Sequence, residues 1–228
     1  MADRAIVFDL DDTLYALDRF VLSGFRAVAA TVAADWRVDR TRALDTLVAA
    51  SMTARGQELQ ALAAWAGREA AAVPALVEVM RTHEPDLCLP APSVAVLDQM
   101  RGTWRIGVVT NGRPDIQARK ARALGLSLYV DTVVFAHEHG AGKPDAAPFL
   151  AACRRLGVSP SRTVFVGDDP ICDITGAGGV GMKTIWLAPH PRPTAADTVE
   201  ADVTVATMAA VPDAADRLIA PEWRAHVA

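Results

Sequence analysis

A chain of 228 residues, 51% hydrophobic, is long enough for one α/β core with an inserted module, or for two small domains. Its net charge of −4 gives no electrostatic footprint for nucleic acid and no polybasic surface for anionic lipid. No stretch approaches the roughly 20 apolar residues of a membrane span, and the opening MADRAIVFDL carries charge where a secretion signal would be apolar.

The first element in chain order is the apolar run Ala5–Phe8, which lacks polar alternation and reads as a strand covered on both faces. It discharges into Asp9-Leu10-Asp11-Asp12-Thr13-Leu14. Three carboxylates at the end of a buried run are costly unless they meet a cation. Asp9 and Asp11 share a side of an extended chain, so both can reach one ion. The plain alternative is a helix-capping turn, since carboxylates favour helix N-termini.

From Tyr15 to Trp104 there are 90 residues before the next strand, whereas a parallel crossover needs only about a dozen. Ser93–Met100 supplies that crossover, which leaves 15–86 as an insertion between the two parts of a core, 1–14 and 87–228. The insertion reads as helical. Leu17–Ala34 carries Phe20, Gly24, Val28 and Val32 on one stripe; Asp39 or Thr41 caps a second helix running to about Ala54. Glu58–Trp65 is a third, broken at Gly67, and Pro74–Arg81 belongs to a fourth, before Pro85, Pro90 and Pro92 mark the return. Trp36, Trp65 and Met52 read as core of this module, and Arg19 as an exposed helix residue. Tyr15 and Phe20 stand at its entrance, open to hinge packing or to substrate recognition.

Further strands follow at Ile106–Val109, Thr132–Phe135, Val164–Val166, Thr184–Leu187 and Val203–Val205, separated by helices at Asp115–Leu124 and Pro148–Leu156. Gly125 and Gly157 end those helices as C-terminal caps do. Alternating strands and helices predict an α/β fold with an open, Rossmann-like parallel sheet.

Three more polar clusters sit at strand ends or helix starts. Thr110-Asn111-Gly112 offers donors for a phosphate oxygen, or is ordinary Asn-Gly turn punctuation. Lys143-Pro144-Asp145 places a cation beside a helix start. Lysine occurs only at 120, 143 and 183, so each invites a question about role. Val164–Val166 runs into Gly167-Asp168-Asp169-Pro170-Ile171-Cys172-Asp173, where Asp168 and Asp173 are spaced to fold back in a short loop. An oxygen-only ligand set suits Mg²⁺. Open α/β sheets bind ligands at such carboxyl ends. His137-Glu138-His139 resembles a metal fragment but lacks a third ligand at suitable spacing and reads as a polar loop. Cys88, Cys153 and Cys172, odd in number and without a CxxC pair, suggest neither a disulfide framework nor a zinc site, and a reducing cytoplasm as the compartment.

These four clusters, in order, resemble the four motifs of the haloacid dehalogenase-like superfamily. The resemblance implies a Rossmann-like core whose first strand is central, flanked by the strands bearing the second and fourth motifs, with a helical cap inserted after the first. It implies Mg²⁺ held by Asp9, Asp11 through its backbone carbonyl, and Asp168, with Asp173 supporting the metal or Lys143. Asp9 is then the nucleophile and Asp11 the general acid–base, while Thr110, the Asn111 backbone and Lys143 clamp the phosphoryl oxygens. Asp169 departs from the small hydroxyl residue many members carry and is expected to point outward.

Within the superfamily, dehalogenases lack an acid at the position of Asp11, because a halide leaves without a proton; Asp11 therefore argues for a small-molecule phosphate ester. Phosphonate-cleaving members use a cap lysine, and 15–86 contains none. Sugar phosphomutases usually read Asp-Gly where this chain has Asp11-Asp12 and carry a His early in the cap, whereas His83 is near its end. The reading is a phosphatase, with a sugar phosphomutase or a catalytically silent binding relative as alternatives. The opening Asp-Asp-Thr-Leu-Tyr and the Thr-Asn-Gly motif are similar to the branch with pyrimidine nucleotidases and acylneuraminate phosphatases.

Overall fold

The computed structural model describes residues 3–188 and 199–220. Residues 189–198 and 221–228, which the expected core range includes, lie outside the described residues. By internal contacts the chain divides into two compact units, one ending at Ala16 and resuming at Cys88, the other Leu17–Leu87.

The first unit is built on a six-stranded parallel sheet: β1 Ala5–Phe8, β2 Arg105–Thr110, β3 Thr132–Phe135, β4 Thr163–Gly167, β5 Lys183–Leu187 and β6 Val203–Val205. The order is β3-β2-β1-β4-β5-β6, so β1 lies between β2 and β4. Every residue of β1 and β4 is buried, which is why these runs show no polar alternation.

The second unit holds four helices: α1 Leu17–Trp36, α2 Arg40–Thr53, α3 Glu58–Trp65 and α4 Val73–Thr82. Its own core gathers Phe25, Val28, Ala29 and Val32 of α1 with Ala43 and Leu47 of α2, Leu62 of α3 and Leu76 of α4. Asp39 is the cap of α2, its carboxylate accepting from Arg42 N at 2.8 Å. Trp36 and Trp65 pack against this core, but Met52 does not: it is 83% exposed, a correction to the expectation. The buried positions of α2 are Ala43, Leu47 and Ala50, and Met52 falls off that stripe.

The remaining helices return to the sheet: α5 Ala91–Met100, α6 Pro114–Ala123, α7 Ala146–Leu156, the short α8 Gly176–Gly179 and α9 Val211–Ile219. The steps β1→β2→β3 run one way across the sheet and β3→β4 runs back past β1. Right-handed crossovers therefore place α5 and α6 on one face and α7 on the other. Phe149 and Leu156 of α7 bury against Ala5, Val7, Val109 and Phe165 there. Gly125 and Gly157 adopt left-handed conformations, with φ of 64° and 69°, and stop α6 and α7. No helix among the described residues is long and apolar enough to cross a membrane.

Candidate active site

Because β2, β1 and β4 are adjacent and parallel, the residues that follow them emerge side by side: Thr110 at the end of β2, Asp9 after β1, Asp168 after β4. Asp9 continues the ladder for one more bond, its N–H donating to Val166 O at 2.9 Å. The chain then curls. Leu14 N donates to Leu10 O at 3.0 Å and Asp12 N to Tyr15 O at 2.8 Å, with Asp12 at φ 59°, a conformation a short polar side chain tolerates.

Lys143 is the hub of the buried part. Its Nζ donates to Asp9 Oδ1 at 2.5 Å and to Asp173 Oδ1 at 2.6 Å, and both acids are almost fully buried. Asn111 holds the lysine's backbone at both ends: Lys143 N donates to its Oδ1 at 2.8 Å, and its Nδ2 donates to Lys143 O at 2.9 Å. The amide that sequence reading placed near a phosphate thus has its side chain committed to locating the cation.

Asp173 folds back over Gly167, on a wide π-helical turn, Pro170–Thr175. A Cβ at Gly167 would overlap the Asp173 carboxylate, so glycine is what lets the acid approach. Asp169 is exposed. Its carboxylate caps the turn, accepting from Ile171 N at 2.8 Å and Cys172 N at 2.7 Å. Asp168 accepts from Thr13 Oγ1 at 3.2 Å, and its carbonyl accepts from Trp186 Nε1 at 2.9 Å.

Carboxylate oxygens of Asp9, Asp168 and Asp173 lie within 4.8 Å of one another. Burial pushes Asp9 up to about 7, with Lys143 opposing it and Asp173 adding to it. Burial and the charge of Asp9 push Asp168 up to about 6, and burial raises Asp173 despite Lys143. Burial works against the charge of Lys143, but Asp9 and Asp173 more than offset it and hold its pKa above the ordinary value. Burial comes first in all three cases, and the repulsion between neighbouring carboxylates adds to it, so the one ammonium beside Asp9 and Asp173 does not bring their pKa values down to the ordinary range. A divalent cation with an all-oxygen preference fits this set.

Asp11 is elsewhere. On an extended strand it would point with Asp9, but β1 ends at Phe8 and the curl turns its carboxylate toward α6. Lys120 Nζ lies 2.9 Å from both its oxygens, Gln117 Nε2 donates to Oδ2 at 3.0 Å, and the Tyr15 hydroxyl donates to Oδ1 at 2.6 Å. Gln117 Nε2 also reaches Thr110 Oγ1. Sequence reading did not single out Gln117, and raised Lys120 only through the scarcity of lysine. His137 accepts from Gly112 N at 3.1 Å and stands in no acidic cluster among the described residues.

The family model for haloacid dehalogenase-like hydrolases matches residues 4–181. The chain is 30% identical over 195 residues to the pyrimidine 5'-nucleotidase YjjG of Escherichia coli K12, covering 82% of this chain and 87% of that one. It is 31% identical over 194 residues to a glyceraldehyde 3-phosphate phosphatase of Methanopyrus kandleri, covering 81% and 83%. Among solved structures, a 2-haloacid dehalogenase from Pseudomonas syringae pv. Tomato superposes with a TM-score of 0.64 at 30% identity, over 95% of this chain and 99% of that one.

Proposed function

The chain belongs to the haloacid dehalogenase-like hydrolases, and from that premise we propose that this phosphomonoester hydrolase works through a phosphorylated Asp9 with Mg²⁺ in the acidic cluster. The observation that carries the reading is the division of two neighbouring carboxylates. Asp9 is buried against Lys143 among the acids, while Asp11 stands apart on α6's lysine and glutamine. Two acids in different surroundings suit two roles.

Mg²⁺ bound by Asp9 and Asp168, with the Asp11 carbonyl and support from Asp173, would offset the uncompensated charge and polarise the phosphoryl oxygens. Lys143, Thr110 and the Asn111 backbone hold those oxygens. Thr110 accepts from Gln117, and its own hydroxyl donates only over a long 3.4 Å to Asn111 O, a bond a phosphoryl oxygen can replace. An Asp9 oxygen attacks phosphorus and the bond to the leaving oxygen breaks as Asp11 supplies that oxygen's proton. Water then attacks the aspartyl phosphate at phosphorus, gives its proton to Asp11, and releases Asp9 and inorganic phosphate. A halide leaves without a proton, so dehalogenation has no use for Asp11. That favours phosphate esters despite the likeness to a dehalogenase structure. Pyrimidine nucleotides and glyceraldehyde 3-phosphate, taken from the relatives' names, are the first substrates to screen.

Rapid acid quench during turnover of a ³²P-labelled ester tests the covalent route, with label expected on Asp9 and its absence overturning the reading. In ¹⁸O-labelled water, label entering released phosphate with none accumulating in Asp9 then shows that water cleaves the aspartyl phosphate at phosphorus. Asp9→Asn is expected to fold yet be almost inactive, because an amide is a poor nucleophile. A folded variant keeping about a tenth or more of wild-type kcat would mean that water attacks directly.

A further inference from the structure

Lys120 and Gln117 lie three residues apart on α6 and so share one face of it, and both are buried although α6 is otherwise a polar helix. A buried lysine on such a helix is costly unless a specific partner holds it. The partner is Asp11, at 2.9 Å from both carboxylate oxygens. A lysine equidistant from both oxygens, a glutamine amide on one and the Tyr15 hydroxyl on the other fix the carboxylate in its plane as well as its place. Gln117 uses the same nitrogen to reach Thr110 Oγ1, so one side chain ties the acid to the hydroxyl at the end of β2.

We propose that Lys120 and Gln117 are positioning residues that hold the Asp11 carboxylate where it meets the leaving oxygen, an inference that rests on Asp11 being the general acid–base. Without them the carboxylate sits on a curl past the end of β1, held by the Tyr15 hydroxyl on one oxygen alone. Both act through Asp11, whose carboxylate oxygens they bond. Lys143 serves Asp9 and Asp173, and Lys120 serves Asp11, so each role has its own cation.

The test is steady-state hydrolysis, with saturating Mg²⁺, of phenyl phosphate and 2,4-dinitrophenyl phosphate, whose leaving groups do and do not need a proton. Lys120→Met is expected to lower kcat for the phenyl ester by roughly 10-fold or more, short of the ~10²–10⁴ a general acid–base supplies. The loss on the dinitrophenyl ester should be several-fold smaller, with KM and Mg²⁺ affinity little changed. Lys120→Arg should recover part of the loss, and adding Lys120→Met to Asp11→Asn should cost nothing further. Equal losses on both esters, or additive losses in the double variant, would overturn the proposal. So would a folded Lys120→Met with wild-type ratios. If Lys120→Met does not fold, Gln117→Met is read by the same ratio, and an unchanged ratio there overturns it equally. An Asp11→Asn variant without leaving-group dependence would instead sink the general-acid reading itself, a distinguishable failure.

Discussion

At the scale of the residue, the site is set by where side chains are forced rather than where they are free. Asp173 reaches Lys143 because Gly167 leaves its space empty. Gly167→Ala should therefore behave as overpacking of a buried site, destabilising by about 1–3 kcal/mol and pushing Asp173 off the lysine. A thermal melt and a Mg²⁺ titration check it, with lower Tm and weaker metal affinity expected together. Wild-type values in both would mean that the turn yields without disturbing the acids. The acids flanking Leu10 teach a related lesson. Their spacing made them ligands of one ion on an extended chain, yet the strand stops at Phe8 and the curl separates their carboxylates. Spacing predicts a shared side only as far as the strand runs.

At the scale of the element, the strands were legible because buried parallel strands read as unbroken apolar runs, and each began and ended within a residue of its expected bounds. The helices after β2 and β3 were legible through their terminal glycines. Gln117 and Lys120 were not, because a lysine on a polar helix is ordinarily a solvated side chain, and only the tertiary placement of Asp11 makes it a buried one. Met52 erred the other way: its chemistry suits a core, but α2 turns it outward. Asp169 shows how an element can assign a charge its role. It was expected only to point outward, and it is exposed, but its carboxylate also caps the turn that carries Asp173. Capping and charge make opposite predictions. Asp169→Asn keeps a good cap and should leave Tm and Mg²⁺ affinity near wild type. Asp169→Ala loses the cap and should cost about 0.5–2 kcal/mol, with weaker Mg²⁺ binding. Titration of both variants decides: if they bind Mg²⁺ alike and more tightly than wild type, the charge matters and the cap does not.

At the scale of the whole molecule, the acidic cluster ties stability to pH and to metal. Asp9 is raised to about 7, Asp168 to about 6, and Asp173 is also raised, all first by burial. An acid whose pKa is higher folded than unfolded binds its proton more tightly in the folded state. In the metal-free protein these groups therefore support folding at low pH, and that support is lost as pH rises through about 6 and 7. Lys143 does not disturb the window, since its pKa is raised from an already basic value and it stays charged throughout. Mg²⁺ binds the deprotonated carboxylates and so competes with those protons. The metal-free protein is expected to melt at a lower temperature at pH 8 than at pH 5.5, and the gain in Tm on adding Mg²⁺ should be larger at pH 8. EDTA should abolish phosphatase activity and Mg²⁺ restore it. Asp168→Asn removes one of the three clustered acids, so it should flatten the metal-free pH dependence while also weakening the Mg²⁺ response. Melting curves across the pH range, with and without Mg²⁺, check the stability claims, and a phosphatase assay with EDTA and then excess Mg²⁺ checks the activity claim. A Mg²⁺ gain independent of pH would mean that the cation binds away from these carboxylates.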